Sequence, residues 1–336
     1  VSAPNGQAAG RPGRTDVVLG SVPGLTSLYA TALRRQAAGP ARQRVAGPPD
    51  RRTPPGEPRL PAVRHVVHAV VADPERLVAY QRLVGDALRD TLPSVFVHGM
   101  AFPVAMGLMV RADFPLPLLG MVHLDNVVEH LRPIGAAEEL EIAAWAENLR
   151  PHRAGTQLDM VVEVSSGGRT AWRGVSTYLA KGTGQAARAG GSAPERAPGK
   201  RPAYIPPVPT ARWRLGADAG RAYAAVLGDY NPIHLGALPA KALGLKRHIA
   251  HGMYLAGRVL ANAAPNDRGY RWSMAFEAPV FLPGTVEVAL RPRDGGLAFE
   301  GWNAASGRRH FTGVVEDLRA DAAREPSPGT GSGNGT

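Results

Sequence analysis

The chain repeats itself. Residues 79–86 read Ala-Tyr-Gln-Arg-Leu-Val-Gly-Asp, and residues 222–229 read Ala-Tyr-Ala-Ala-Val-Leu-Gly-Asp. Each follows an Ala-Asp pair, Ala72-Asp73 or Ala217-Asp218, suited to capping a short helix. His98-Gly99-Met100 and His251-Gly252-Met253 come next, and each opens an apolar run. Arg132-Pro-Ile-Gly135 then answers Phe281-Leu-Pro-Gly284, and the Gly-to-Gly intervals, 99 to 135 and 252 to 284, differ by only four residues. Four landmarks in one order mark a duplicated unit. Duplication is a severe constraint, because whatever one half builds the other must build too.

Each half ends in strand-like text: residues 140–149, 156–166 and 169–181 in the first, 285–292, 297–305 and 308–318 in the second. The run after each His-Gly-Met is apolar on most sides, so its helix belongs inside rather than on a surface. A curved antiparallel sheet wrapped around one buried helix meets that demand, and two such units can pair edge to edge without a long exposed edge. The expected class is therefore α+β, a double hot-dog. Its parts are a basic, mostly flexible arm (1–60), a first repeat (61–181), a Gly/Ala/Pro linker (182–203), a second repeat (204–318) and a disordered tail (319–336). Within the arm, Leu25, Leu28, Tyr29 and Leu33 recur at helical spacing, which predicts a short docking helix over 23–36.

Charge and composition narrow the function. The net charge of +11 invites a nucleic-acid reading. Residues 1–60, however, carry nine Arg against Asp16, Asp50 and Glu57, and residues 181–214 carry seven Lys+Arg against Glu195. The surplus therefore sits in the arm and linker, where aromatic residues are too few to interleave as a platform for stacking bases, and no nucleic-acid partner is expected. The linker's Gly-Thr-Gly-Gln-Ala-Ala mimics a dinucleotide fingerprint, but Pro194 and Pro198 forbid the helix it must open. With zero cysteines, disulfides, thiolate metal sites and cysteine nucleophiles are excluded. The longest apolar stretch, 97–110, is shorter than the ~20 residues of a membrane span. No signal peptide opens the chain, so a cytoplasmic protein is expected.

The halves differ in one place. From Asp86 to His98 the interval is 12 residues; from Asp229 to His251 it is 22. The added length contains Gly228-Asp-Tyr-Asn-Pro-Ile-His234, and nothing in the first half matches Asn-Pro-x-His. Asn-Pro is turn chemistry, able to bring Asp229 and His234 to bear on one small volume. A carboxylate beside an imidazole is an acid–base pair tunable to neutral pH. Gly252, at the start of a buried helix, leaves its N–H open to an anion.

Gly228-Asp-Tyr-Asn-Pro-Ile-His234 followed by Ile249-Ala-His-Gly-Met253 closely resembles the signature of MaoC-like dehydratases, the (R)-specific enoyl-thioester hydratases. The first half, with residues 114–135, resembles the N-terminal repeat of double-hot-dog 3-hydroxyacyl-thioester dehydratases. The resemblance spans about residues 62–318. It implies reversible hydration of a trans-2-enoyl thioester to the (R)-3-hydroxyacyl thioester, carried on coenzyme A or acyl carrier protein, with no metal or redox cofactor. By position it makes Asp229 and His234 the catalytic pair, Asn231 a supporting residue and the Gly252 N–H the oxyanion donor. It also implies that a repeat lacking the motif makes room for a bulkier acyl chain.

Other polar residues have plainer readings. His251 is expected to be structural, because His98 fills the same slot in the half without the pair; Asp86 is structural because its imidazole partner is missing. His65 and His68 fall on opposite faces of a strand, and His123 and His130 lack the neighbours a metal would need. Lys241, Lys246 and Arg247 are a solvated loop or, on the sharper reading, contacts for the substrate's phosphates. Two rival functions stand beside the dehydratase: a hot-dog thioesterase, and a non-catalytic acyl-thioester-binding subunit of a larger synthase. A monomer or homodimer is expected, since internal duplication already supplies the pairing of two hot-dogs.

Overall fold

A computed structural model describes residues 13–37, 58–183, 204–263, 265 and 268–318. The first repeat runs β2 (Val63–Val70), α2 (Pro74–Val84), α3 (Ser94–Met109), β3 (Met121–His130), β4 (Leu140–His152), β5 (Gly155–Ser166) and β6 (Arg169–Lys181). The second runs β7 (Ala211–Leu215), α4 (Ala219–Leu227), α5 (Pro232–Leu235), α6 (Ala237–Ala242), α7 (Gly252–Ala263), β8 (Tyr270–Phe276), β9 (Gly284–Arg293), β10 (Gly296–Asn303) and β11 (Arg309–Asp317). Ahead of both lie β1 (Thr15–Val18) and α1 (Leu25–Ala37).

All the strands form one sheet, in the order β1-β2-β4-β5-β6-β3-β8-β11-β10-β9-β7. Outward from the middle, β3-β6-β5-β4-β2 on one side answers β8-β11-β10-β9-β7 on the other. The halves meet where β3 and β8 pair antiparallel, from Asp125↔Ala275 to His130↔Tyr270. This is the double hot-dog. Helix α3 is buried on nearly every side, as its unbroken apolar text requires. The two halves' helices interlock through glycines. A Cβ on Gly99 of α3 would meet Leu227 Cδ1 of α4 at 2.8 Å, and one on Gly257 of α7 would strike the Tyr80 hydroxyl of α2. Ser94 Oγ joins the halves directly, accepting from Trp172 Nε1 of β6 and Trp272 Nε1 of β8, each at 2.8 Å.

Within the arm, the predicted docking helix forms as α1 and packs on the body. Four expectations need correcting. The described residues of the arm also hold a strand the sequence did not signal: β1 adds in parallel to β2, Thr15↔Val63 to Val18↔Val66. The inner face of α1 is Leu25, Leu28, Tyr29 and Ala32, whereas Leu33 is 52% exposed. Asp73 caps α2 through bonds from the Glu75 and Arg76 N–H groups, but Asp218 makes no side-chain cap on α4. Finally, His98-Gly99-Met100 does not open its helix. Helix α3 starts at Ser94, so Gly99 is its sixth residue and its N–H belongs to the helical ladder. The linker from 184 to 203, most of its nominal dinucleotide motif, and the tail 319–336 lie outside the described residues.

Candidate active site

Helix α4 ends on Gly228, whose φ of 78° is the left-handed conformation of a C-cap. The chain then turns, and Asp229 comes to rest over the start of α7. Asn231 caps α5, accepting from the Ile233 N–H at 3.4 Å, with Pro232 at the first helical position. This single turn carries His234. Gly220 on α4 lets the turn sit close, since a Cβ there would collide with the His234 carbonyl. Asn231 thus shapes the backbone that presents His234.

Two bonds strap the turn to the segment leading into α7: Ile249 N–H donates to Ile233 O at 3.1 Å, and His234 Nδ1 lies 2.8 Å from Ile249 O. A carbonyl only accepts, so Nδ1 carries the proton and Nε2 presents a lone pair. His234 is 8% exposed. Burial, reinforced by neighbouring His251, pushes its imidazole down to about 3, so it is neutral at physiological pH. His251 stacks on it with ring centroids 3.6 Å apart. Its Nε2 lies 3.0 Å from the Asp229 carbonyl and 3.7 Å from Asp229 Oδ2. Burial lowers the His251 pKa as well. His251 therefore braces Asp229 and His234 together.

Asp229 retains 22% side-chain exposure. Burial alone would raise its pKa, but His251, His234 and the Tyr29 hydroxyl outweigh it and hold the carboxyl below its ordinary value. Oδ1 accepts from Tyr29 and, at 3.4 Å, from the Asn231 N–H. Gly252 is the first residue of α7, so its N–H has no partner inside the helix. Its α-carbon faces the Phe276 ring, which a Cβ would meet at 2.8 Å.

Four residues around this site had no functional assignment from sequence: Tyr29, Tyr178, Tyr223 and His98. Tyr223 packs on the His251 ring at 4.6 Å, and the Asp229 charge is felt at Tyr178 and His98. Tyr178 stacks on His123 at 4.7 Å, and His123 reaches Phe276 at 5.0 Å. The first repeat thus walls a site whose acid–base groups come from the second. The only hint in sequence was that Tyr29 lay in a predicted docking helix. Lys241, Lys246 and Arg247 are exposed between α5 and α7, with the Arg247 guanidinium over the Phe281 ring at 5.7 Å. Asp86, by contrast, pairs with Arg89 at 2.7 Å. No cluster of three metal-ligating side chains exists among the described residues.

An acid–base pair beside a free helix N-terminus, in a doubled hot-dog, defines the class of the hydratases and dehydratases. The family model described as "MaoC like domain" matches residues 194–303. The 3-hydroxyacyl-thioester dehydratase X of Mycobacterium tuberculosis is 36% identical over 261 residues, covering 77% of this chain and 91% of that one. The crystal structure of that bacterium's HtdX superposes with a TM-score of 0.66 at 34% identity, covering 76% of this chain and all of the other. A MaoC-like dehydratase from Phytophthora capsici shares the fold, with a TM-score of 0.55 at 17% identity over 76% of this chain and 95% of its own. The chain belongs to the MaoC-like dehydratase family.

Proposed function

We propose that this chain is a hydro-lyase that interconverts (R)-3-hydroxyacyl and trans-2-enoyl thioesters. The observation that carries the reading is the pairing of a neutral His234, with Nε2 unprotonated, and an ionised Asp229 beside the open Gly252 N–H.

In dehydration, one member of the pair takes the Cα proton. The charge that develops on the thioester oxygen is met by the Gly252 N–H with the α7 dipole behind it. The Cβ–O bond then breaks as the Cα–Cβ double bond forms. The hydroxyl leaves as water with a proton that the pair supplies, so the pair ends as it began. Hydration is the reverse. The chemistry needs no metal or redox cofactor.

The carrier is coenzyme A or acyl carrier protein, both of which bear phosphate. Exposed Lys241, Lys246 and Arg247 are suited to meet it as point charges. The proposed compartment is the cytoplasm, where both carriers occur, and the proposed state is a monomer or homodimer. Among the described residues no helix is long and apolar enough to cross a membrane.

The test offers crotonyl-CoA and a longer trans-2-enoyl-CoA and follows loss of the enoyl absorbance. Wild type should hydrate at least one of them, and Asp229→Asn and His234→Ala should not. No turnover at any chain length, or full turnover in both variants, would sink the mechanism. Release of free thiol instead would mark a thioesterase.

A further inference from the structure

Helix α1 precedes both repeats, yet it reaches the acid–base pair. Leu25, Leu28, Tyr29 and Ala32 form a small apolar cluster with Met106 of α3 and Leu119. Arg35 secures the far end of the helix by donating to the carbonyls of Arg111, Ala112 and Phe114. At the near end, β1 is stitched to β2. The helix therefore sits on the body with fixed register, and that register places the Tyr29 hydroxyl on Asp229 Oδ1. Nothing in packing alone requires this hydroxyl, because a phenylalanine ring would fill the same cluster.

We propose that Tyr29 is a positioning residue for Asp229: a donor from outside both repeats that locks Oδ1 and so turns Oδ2 toward the imidazoles and the reacting water. The reacting water belongs to the dehydratase reading, on which this part of the inference rests. The chemistry of the contact does not. Burial, followed by the charge of Asp229, raises the Tyr29 pKa well above its ordinary value. The hydroxyl stays protonated at any working pH and can only donate to the carboxylate. A charge-assisted bond of this kind is about twice as strong as a neutral one, and it adds to the longer Asn231 N–H contact on the same oxygen.

The groups that face Asp229 are His234 from α5, His251 ahead of α7, Tyr223 from α4, Tyr178 from β6, His98 from α3 and the Asn231 N–H. The two imidazoles beside it, His234 and His251, are buried, with their pKa values lowered. When they are neutral, Tyr29 becomes the main side-chain donor that favours the ionised carboxylate.

The test is Tyr29→Phe in the full chain, which keeps the ring and removes one O–H. The melting temperature should stay within a few degrees. Turnover of a trans-2-enoyl-CoA should fall on the order of 10-fold in kcat with little change in KM, and the acidic limb of the kcat profile should move to higher pH. A carboxyl-13C titration of Asp229 in the substrate-free enzyme should show a higher midpoint than wild type. That measurement needs no turnover, so it judges the Tyr29 contact even if the dehydratase reading fails. Leu28→Ala loosens the same helix without touching the hydroxyl, and it should lower stability while leaving the Asp229 midpoint in place. An unchanged midpoint in Tyr29→Phe, or an equal shift in Leu28→Ala, overturns the proposal. A rise in kcat would also overturn it, by making the hydroxyl a plug that substrate must displace.

Discussion

Asp86 and Asp229 begin from one local design and end with opposite chemistry. Each follows a left-handed glycine that closes a helix, Gly85 at φ 76° and Gly228 at φ 78°. Asp86 then spends its carboxylate at home, accepting from the Ala87 N–H at 2.8 Å and from Arg89 at 2.7 Å. Asp229 receives two imidazoles and a tyrosine hydroxyl that lies 200 positions away. The cause is the loop that follows. In the second half it does two things at once: it delivers His234, and it ties up both the N–H and the C=O of Ile249. Ile249, held this way and bridged antiparallel to Phe281, stays extended, and α7 begins only at Gly252, whose N–H lies outside the helical ladder. The first half has no such loop, so α3 winds back to Ser94 and absorbs the N–H of Gly99. One loop therefore accounts for both the imidazole beside Asp229 and the helix-start N–H of Gly252, and its absence removes both.

The largest expected effects fall on the acid–base pair. Asp229→Asn and His234→Ala should each lower kcat by ~10³ or more, at the upper end of what a positioned acid or base supplies. Asp86→Asn should leave kcat within about twofold, since its carboxylate is engaged by the Ala87 N–H and Arg89 rather than by an imidazole. Steady-state hydration assays of the three variants decide this. A large loss at Asp86 would mean that the first half still does chemistry.

The two glycines provide the next contrast. In Gly252→Ala the new methyl would lie 2.8 Å from an edge of the Phe276 ring, displacing the helix start and its N–H. About a 10²-fold loss in kcat is expected, as when one oxyanion donor is removed. Gly99→Ala meets the tip of Leu227 at the same 2.8 Å. The expected result is a stability loss of about 1–3 kcal/mol from overpacking with nearly normal turnover, read from denaturant melts beside the kinetics.

Removing the three exposed cations together, Lys241→Ala, Lys246→Ala and Arg247→Ala, should raise KM for an acyl-CoA roughly 5–10-fold at low salt and leave kcat alone. The effect should fade as salt screens it. An unchanged KM would return this segment to an ordinary solvated loop.

Acid should not distinguish the halves. Burial pushes His98 and His130 down to about 4 in the first repeat, and His234 to about 3 in the second. Between ~6.5 and those values the unfolded chain binds protons that the folded one refuses. The stabilisation is therefore complete above ~6.5 and is lost as pH falls toward 4 and 3, by at most about 1.4 kcal/mol per pH unit for each imidazole. Melting temperatures at pH 7, 6 and 5 should fall steadily, and His98→Gln should flatten that slope about as much as His234→Gln. A slope that only His234→Gln changes would contradict the comparison.

The doubled architecture was legible in the sequence because it is written in local signals that occur twice. These are a helix-ending Gly-Asp, a central apolar run and strand text after it, and each depends on residues close together in the chain. The acid–base motif was legible for the same reason: Asn231, Pro232 and His234 build a single turn by themselves. What could not be read was decided between distant segments. The sequence shows the same His-Gly-Met twice, yet only strapping by the His234 turn determines whether the glycine starts a helix or lies within it. Leu33 looked like a core residue, but the position of α1 on α3 buries Ala32 instead.

By itself, then, the sequence determined the repeat, the helices and strands within it, and the one half able to carry Asp229 and His234. Tertiary structure alone decided which hydroxyl completes the carboxylate, which repeat walls the site and where β1 joins the sheet. Local propensity and capping act over a few residues, whereas docking selects among many similar surfaces by packing that no short motif records.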